Sequence, residues 1–434
     1  MDGREICKSD NRNGQPSTVK TRGRHIITTY EHQRLKLGET KDFEQKHLLA
    51  LQRYYGEKGT PFFSLIHNGL KFNQFVGVIQ VDSLVIEVLP KTDQTADEGQ
   101  WRKLLIGMLR AVRSLNVHTA GNTDLKLKSN SILDLYLEVF ITEVEQLLYK
   151  GLIKQYRRRE GNSLSLKGKL VFTKHIQENL IHQEQFYVNH QTYDRENTFN
   201  QIIYKALLLV KGINTSPSLQ SRIGSMMLYF PEMNDLYVTE ETFSRLQFNR
   251  KTEQYREAIN IARLLLLNYH PDVSRGNNHV MTLMFDMNRL WESFVLHSLK
   301  KHAPEQYRIR GKIKKTFWEA STSMKVGVEP DIVIEYKEQT YILDTKWKVL
   351  NGNRPSDDDL KQMYVYTKYF DSSYTALVYP DDSIDSIKGA FWNEKNDSGY
   401  YPCSLIKLKL PLPMSSFTTW QKYICTELLS KIEA

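Results

Sequence analysis

The chain is poor in cysteine: three residues, Cys7, Cys403 and Cys425, among 434, with no CxxC pair. That spacing excludes a disulfide framework and a thiolate zinc site, and it fits a reducing, cytoplasmic setting. No apolar run approaches the roughly 20 residues that a membrane span needs, so no membrane partner is expected. Residues 1–24 lack the apolar segment and small-residue cleavage site of a secretory signal and read as a flexible tail. The twelve histidines are scattered, without HExxH or HxH, which removes a histidine-based metal mechanism and leaves His279 and His297 as structural or surface groups. A GxxxxGK[ST] loop is also missing. GEKGT at 56–60 and the stretch 161–170 have the wrong spacing, so this chain binds no nucleotide through a phosphate loop and any NTP-driven step belongs to another chain.

What the chain does have is a folded composition and a basic balance. Hydrophobic residues at 40% and charged residues at 25% match globular averages, and 434 residues exceed one ordinary core. The net charge of +9 suits a polyanionic partner such as DNA without requiring one.

Along the chain the hydrophobic period changes several times. Residues 25–55 contain a helical pattern in FEQKHLLALQRYY, and residues 71–90 alternate as strands around a tight Asp82-Ser83 turn. Helices are expected at 101–117 and 131–152, and Gly151 ends the second. The basic run KQYRRR at 154–159 then leads into a polar turn at 160–163 and a short strand at 166–172. Its cations Lys154, Arg157, Arg158 and Arg159 form either a solvated charged face or a contact for DNA or a protein partner. Helices follow at 197–211 and 253–269, and PDVSRGNN at 271–278 marks a boundary. The remainder reads helix 284–301, strands 306–317, 331–336 and 340–349, helix 357–370, strand 374–379, a late strand 405–410 and a closing helix, which is a mixed α/β core.

The expected architecture is therefore an α/β (α+β) multidomain chain: a tail over 1–24, an N-terminal β-containing α+β domain over 25–120, a helical middle region with a basic loop over 121–275, and a C-terminal domain over 276–434 with a mixed central sheet.

The chemistry lies in GVEPDIVIEYKEQTYILDTKWK. Two apolar strands flank Lys337 and Glu338, and a turn centred there sets Asp331 directly opposite Asp344 on one face. Period two adds Lys346 to that face. Facing carboxylates repel unless a cation lies between them, and hard oxygen donors suit Mg²⁺ or Mn²⁺. Asp331 and Asp344 are thus candidate metal ligands and Lys346 a candidate catalytic lysine for phosphodiester hydrolysis. A bland hairpin with surface charges would have to produce the Pro-Asp opening, the Asp-Thr-Lys close and the register by chance. Glu292, after Trp291 in a predicted helix, is a candidate fourth acid, or else an exposed helix residue. Gln362 and Tyr366, four apart on one helical face, together with Lys348, are candidate DNA contacts, although an ordinary amphipathic helix explains the pair equally.

At these residues the sequence resembles the McrC family, the nuclease subunit of McrBC-type restriction systems within the PD-(D/E)xK superfamily. The resemblance rests on FDMNRLWESFV (285–295), EPDIVI (329–334), ILDTKWK (342–348) and QMYVY (362–366), whose Gln-x3-Tyr pattern is also similar to RecB-like nucleases. It extends less specifically to GVIQVDSLVIEVLPK (77–91), GLIKQYRRRE (151–160) and SLKGKLVF (165–172), the last with Lys167-Gly168-Lys169 where the family often carries Arg-Gly-Arg. The resemblance implies a C-terminal Mg²⁺-dependent endonuclease that cuts DNA. It also implies an N-terminal region that engages a McrB-like AAA+ GTPase or ATPase hexamer and stimulates its hydrolysis. A free-standing RecB-like nuclease and a noncatalytic activator of an AAA+ partner remain as alternatives.

Overall fold

A computed structural model describes residues 17–21, 24–90, 98–112, 132–214, 216–270, 280–321, 323–348, 350, 354–381, 385–392, 401–411 and 416–433. The chain divides into two compact units: Met1–Asn116 with Pro271–Ala434, and Val117–His270 between them in sequence.

In the first unit, the alternating apolar positions of Phe75–Val81 and Leu84–Leu89 form the expected hairpin, and Leu84–Leu89 also pairs in parallel with Arg24–Tyr30. Ser17–Thr21, within the segment read as a tail, is a strand paired with Arg24–Tyr30. Residues 1–16 lie outside the described residues. Phe75–Val81 pairs on its other edge with Val280–Asp286, a strand that the periodicity did not reveal because helix was expected from 284. The close approach explains Gly77: at φ +139° a Cβ there would meet the Leu283 carbonyl oxygen at 2.0 Å. The helix Gln45–Tyr55 and a small sheet of Arg34–Lys36, Gly69–Phe72 and Phe63–Ile66 cover one side of this sheet, burying Ile27, Leu48, Leu51, Phe63 and Ile79 completely or nearly so.

The same unit carries a second sheet, ordered Arg308–Gly311, Ile332–Tyr336, Gln339–Thr345, Tyr374–Asp381, Tyr401–Lys409 and Asp385–Ile387. Its two central pairings are parallel and the others antiparallel, so it is a mixed sheet. Ile332, Ile334, Ile342 and Leu343 have no exposed surface, as expected for strands covered on both faces. The helix Asp357–Tyr369 packs Met363 and Tyr366 onto Val333, Ile342 and Leu377. The helices Met287–His302 and Phe417–Glu433 pack together through Trp291, Phe294, Phe417 and Trp420. The single strand expected at 306–317 is instead two, Arg308–Gly311 and Lys315–Glu319, which belong to different sheets.

The second unit holds the helices Ile132–Lys150, Thr198–Ile213, Pro217–Tyr229 and Arg256–Leu267. It is more than helical. Gln155–Ser163 is one continuous strand paired antiparallel with Phe186–Asp194, so the polar stretch 160–163 is not a turn. Composition concealed it because both faces of this ribbon are polar and no alternation marks it. The strand expected at 166–172 shrinks to Lys169–Leu170, and Phe172 opens a short helix to Asn179. The segment 271–278 lies outside the described residues.

Candidate active site

The hairpin Ile332–Tyr336/Gln339–Thr345 turns on Lys337 and Glu338, both at positive φ (48° and 63°), which is the backbone a two-residue turn needs to match strand twist. Ile332 pairs with Leu343, so the next position brings Asp331 opposite Asp344, as the expected register requires. Opposed residues hold their Cβ atoms about 4.5 to 5.5 Å apart. Asp344 also sits in the parallel ladder opposite Leu377, and the Lys346 amide continues that ladder by donating to the Val378 carbonyl at 2.9 Å. Lys346 is thereby held two residues on, on the same face as Asp344 and beneath the helix Asp357–Tyr369.

Asp344 is 1% exposed, and its Oδ2 lies 2.7 Å from the Lys346 ammonium. Burial, followed by the neighbouring charge of Asp331, pushes its pKa up to about 7, despite Lys346. Asp331 Oδ2 accepts from the Thr345 amide at 2.8 Å and from the Thr345 hydroxyl at 2.9 Å, which aims its carboxylate along the hairpin. Burial works against the Lys346 ammonium, but Asp344, with Asp359 and Asp331 behind it, outweighs burial and raises its pKa.

Lys346 donates to Gln362 Oε1 at 3.1 Å, Gln362 Nε2 donates to the Tyr366 hydroxyl at 2.7 Å, and that hydroxyl donates to the Glu329 carbonyl at 3.0 Å. Gln362 and Tyr366 thus join the lysine to the segment just before Asp331. Tyr366 is buried, which pushes its pKa up to about 12. Lys348 donates to Asp359 Oδ2 at 2.5 Å and remains partly exposed. Glu292 projects from Met287–His302 and pairs with Lys312 at 3.1 Å. Burial first, then the charge of Asp331, raises its pKa, so Glu292 and Asp331 share one electrostatic neighbourhood.

Three participants escaped the sequence reading. Asp359 lies 3.7 Å from Lys346 and pairs with Lys348. Its only sequence signal is its place three residues after the helix-capping Ser356, whose hydroxyl accepts from the Asp359 amide. Lys312 neutralises Glu292 from a loop. Glu31, 3% exposed at the end of Arg24–Tyr30, accepts from the Trp347 indole at 2.8 Å, and nothing local in the sequence connects the two.

Among the described residues no three or more His, Cys, Asp or Glu side chains form a set able to hold a metal by themselves. A two-carboxylate site is still the usual protein contribution to Mg²⁺, with water and substrate phosphate filling the other positions. The buried Asp344 and the half-buried Asp331, whose charges repel, fit that group.

The basic candidates lie in the second unit. Arg157 is paired with Asp194 at 3.1 Å, whereas Lys154, Arg158 and Arg159 are exposed.

The fold and this site define a mixed α/β protein with two carboxylates and a lysine gathered at one end of a buried hairpin. Residues 70–380 match the family described as McrBC 5-methylcytosine restriction system component, and the chain belongs to that family. It is 24% identical over 260 residues to the type IV methyl-directed restriction enzyme EcoKMcrBC of Escherichia coli K12, covering 56% of this chain and 69% of the relative. Its fold is similar to a chain of the Thermococcus gammatolerans assembly of McrB AAA+ hexamers with bound McrC: TM-score 0.68, 19% identity, 93% of this chain and 99% of that one. Among the described residues no helix is long and apolar enough to cross a membrane.

Proposed function

We propose that this chain is the DNA endonuclease subunit of an McrBC-like restriction system, a PD-(D/E)xK enzyme that hydrolyses phosphodiesters with Mg²⁺. The observation that carries the reading is the meeting of Asp331, Asp344 and Lys346 on one face at the end of the hairpin. Asp331 and Asp344 hold the divalent cation, with Glu292 at the margin. The bound ion supplies Lewis acidity at the scissile phosphate. Lys346 orients the attacking water and stabilises charge on the phosphate oxygens, a task that needs a fixed cation rather than a mobile one. Gln362, Tyr366 and Asp359 provide that fixity, and Lys348 contacts the DNA backbone beside them.

A partner AAA+ NTPase of the McrB kind, using GTP or ATP, supplies the nucleotide-driven step and is stimulated by this chain. The family match supports this, as does similarity to a chain from an assembly of McrB hexamers with McrC. The test is cleavage of cytosine-methylated and unmethylated plasmid in Mg²⁺, with and without the partner and its nucleotide. Cleavage that needs both and is abolished by Asp344→Ala is the expected result. Partner NTPase stimulation without any cutting would overturn the nuclease assignment.

A further inference from the structure

The second unit contains a cavity of about 530 Å³ at the base of the ribbon Gln155–Ser163/Phe186–Asp194. Lys154, Arg250 and Lys251 line it, together with Gln155, Tyr193 and Gln254, and no carboxylate does. Several other cations of this unit are matched with acids: Lys174 with Glu160, Lys205 with Asp235, Arg245 with Glu241, Arg256 with Glu253 and Arg263 with Glu240. Among the described residues no carboxylate pairs with Lys154, Arg250 or Lys251. Three uncompensated cations around one concavity repel each other, and an anionic ligand relieves that repulsion.

The cations stand on fixed backbone. Just before Lys154, the Ile153 amide donates to the Tyr255 hydroxyl at 3.0 Å, and its carbonyl accepts from Asn197 and Asn200 at 3.1 and 3.0 Å. The same two amide groups donate to the Arg195 carbonyl at 3.1 and 2.7 Å, so the two strands of the ribbon are clamped together at its base. Across the cavity, Asn249 Oδ1 accepts from the Lys251 and Thr252 amides at 2.9 and 3.1 Å and holds Arg250 and Lys251 in a tight turn. Ligand binding therefore costs little backbone ordering. Register sets Tyr156 opposite Tyr193, with ring centroids 4.7 Å apart, and period two places Arg158 on the same face. Arg, Lys, Gln and Tyr side chains are those that contact nucleic-acid phosphates.

We propose that this cavity is a seat for the backbone phosphates of duplex DNA, formed by Lys154, Arg250 and Lys251 and continued along the ribbon by Arg158. None of its residues belongs to the Asp331/Asp344 site. The proposal rests on the reading that DNA is the substrate, but the two fail separately, because DNA binding without divalent ions does not require cleavage.

The experiment measures fluorescence anisotropy of a labelled duplex with the full chain in EDTA across a salt series. The seat variant is Lys154→Gln/Arg250→Gln/Lys251→Gln. The charge-matched control is Lys205→Gln/Arg245→Gln/Arg263→Gln, which removes three already paired surface cations of the same unit. Each lost phosphate contact lowers the slope of log affinity against log salt by about 0.9, so the seat variant is expected to lose roughly 2 to 3 in slope and at least about tenfold in affinity at low salt. The control should change little. Single substitutions Arg250→Gln and Lys251→Gln, each losing about one in slope, provide the same reading should the triple variant fold poorly. Equal losses in seat variant and control would reduce the effect to net charge and overturn the proposal. So would unchanged duplex binding accompanied by lost binding of GTP or ATP, which would assign the cavity to a free nucleotide, or by lost capture of the AAA+ partner, which would assign it to protein contact. Wild-type DNA binding with no cleavage under any condition would sink the nuclease reading and leave the seat standing.

Discussion

Asp344 is the residue at which stability and chemistry oppose each other. Its folded pKa near 7 stands above the ordinary 3.8, so between those values the native chain keeps a proton that the unfolded chain has released. Its contribution to stability is fully present below 3.8 and is lost as pH rises toward about 7. Removing the charge in Asp344→Asn should therefore raise the thermal stability of the metal-free protein at pH 8 and abolish cleavage. A gain of about 2 kcal/mol is expected, less than the full shift implies because Lys346 loses its partner. The gain should shrink toward pH 4, where the native carboxyl is also neutral; a variant less stable than wild type at pH 8 in EDTA would refute this. Gln362 offers a second check at this scale. It anchors Lys346 without belonging to the proposed metal ligands, so Gln362→Ala should lower kcat about tenfold or more while leaving the Mg²⁺ dependence unchanged. A shifted Mg²⁺ requirement would instead make it part of the metal site.

At the scale of elements, the hairpin that carries the two acids has the correct turn geometry with residues poorly suited to it. Lys337 and Glu338 both adopt positive φ, where a side chain is strained and Asn-Gly is preferred. Lys337→Asn/Glu338→Gly should stabilise the protein by about 0.5 to 1 kcal/mol in urea unfolding, with cleavage retained, because the register from Ile332–Leu343 to Tyr336–Gln339 already fits that turn. Destabilisation would mean that the Lys337 ammonium, 4.9 Å from the Tyr336 ring centroid, outweighs the backbone strain. The polar ribbon of the second unit shows the opposite relation between sequence and element. Gly168, at φ +71° with the Asn189 carbonyl 2.4 Å from where a Cβ would lie, is fixed by close approach of its partner strand, although the sequence reads 166–172 as one short strand.

At the scale of the molecule, the first unit joins the two ends of the sequence. Val280–Asp286 completes the N-terminal sheet beside Phe75–Val81, then the chain enters the helix bearing Trp291 and Glu292. Trp347, directly after Lys346, packs against Trp291 with tilted rings whose centroids lie 5.4 Å apart, and donates its indole proton to Glu31. The site is therefore braced by the N-terminal sheet. Trp347→Phe keeps the aromatic packing and removes the donor, at a cost of about 1 to 2 kcal/mol. Amide exchange along Arg24–Tyr30 should quicken and cleavage should fall together; a loss of cleavage with unchanged exchange there would show that Trp347 acts on DNA rather than through Glu31.

The sequence by itself determined what short-range periodicity can encode: the two hairpins, most of the long helices, and the facing of Asp331, Asp344 and Lys346, since a two-residue turn and a period of two fix a face without reference to the rest of the chain. It also placed Gln362 and Tyr366 on one helical face. Only the tertiary structure decided what meets across long separations. The parallel strand Tyr374–Asp381 fixes Lys346, Asp359 counters it, and Glu31 reaches Trp347 from 316 residues away. The cavity that gathers Lys154 with Arg250 and Lys251 is of the same kind. Those pairings depend on how packed elements are oriented, and a cation carries no local mark of whether a carboxylate or an anionic ligand will face it.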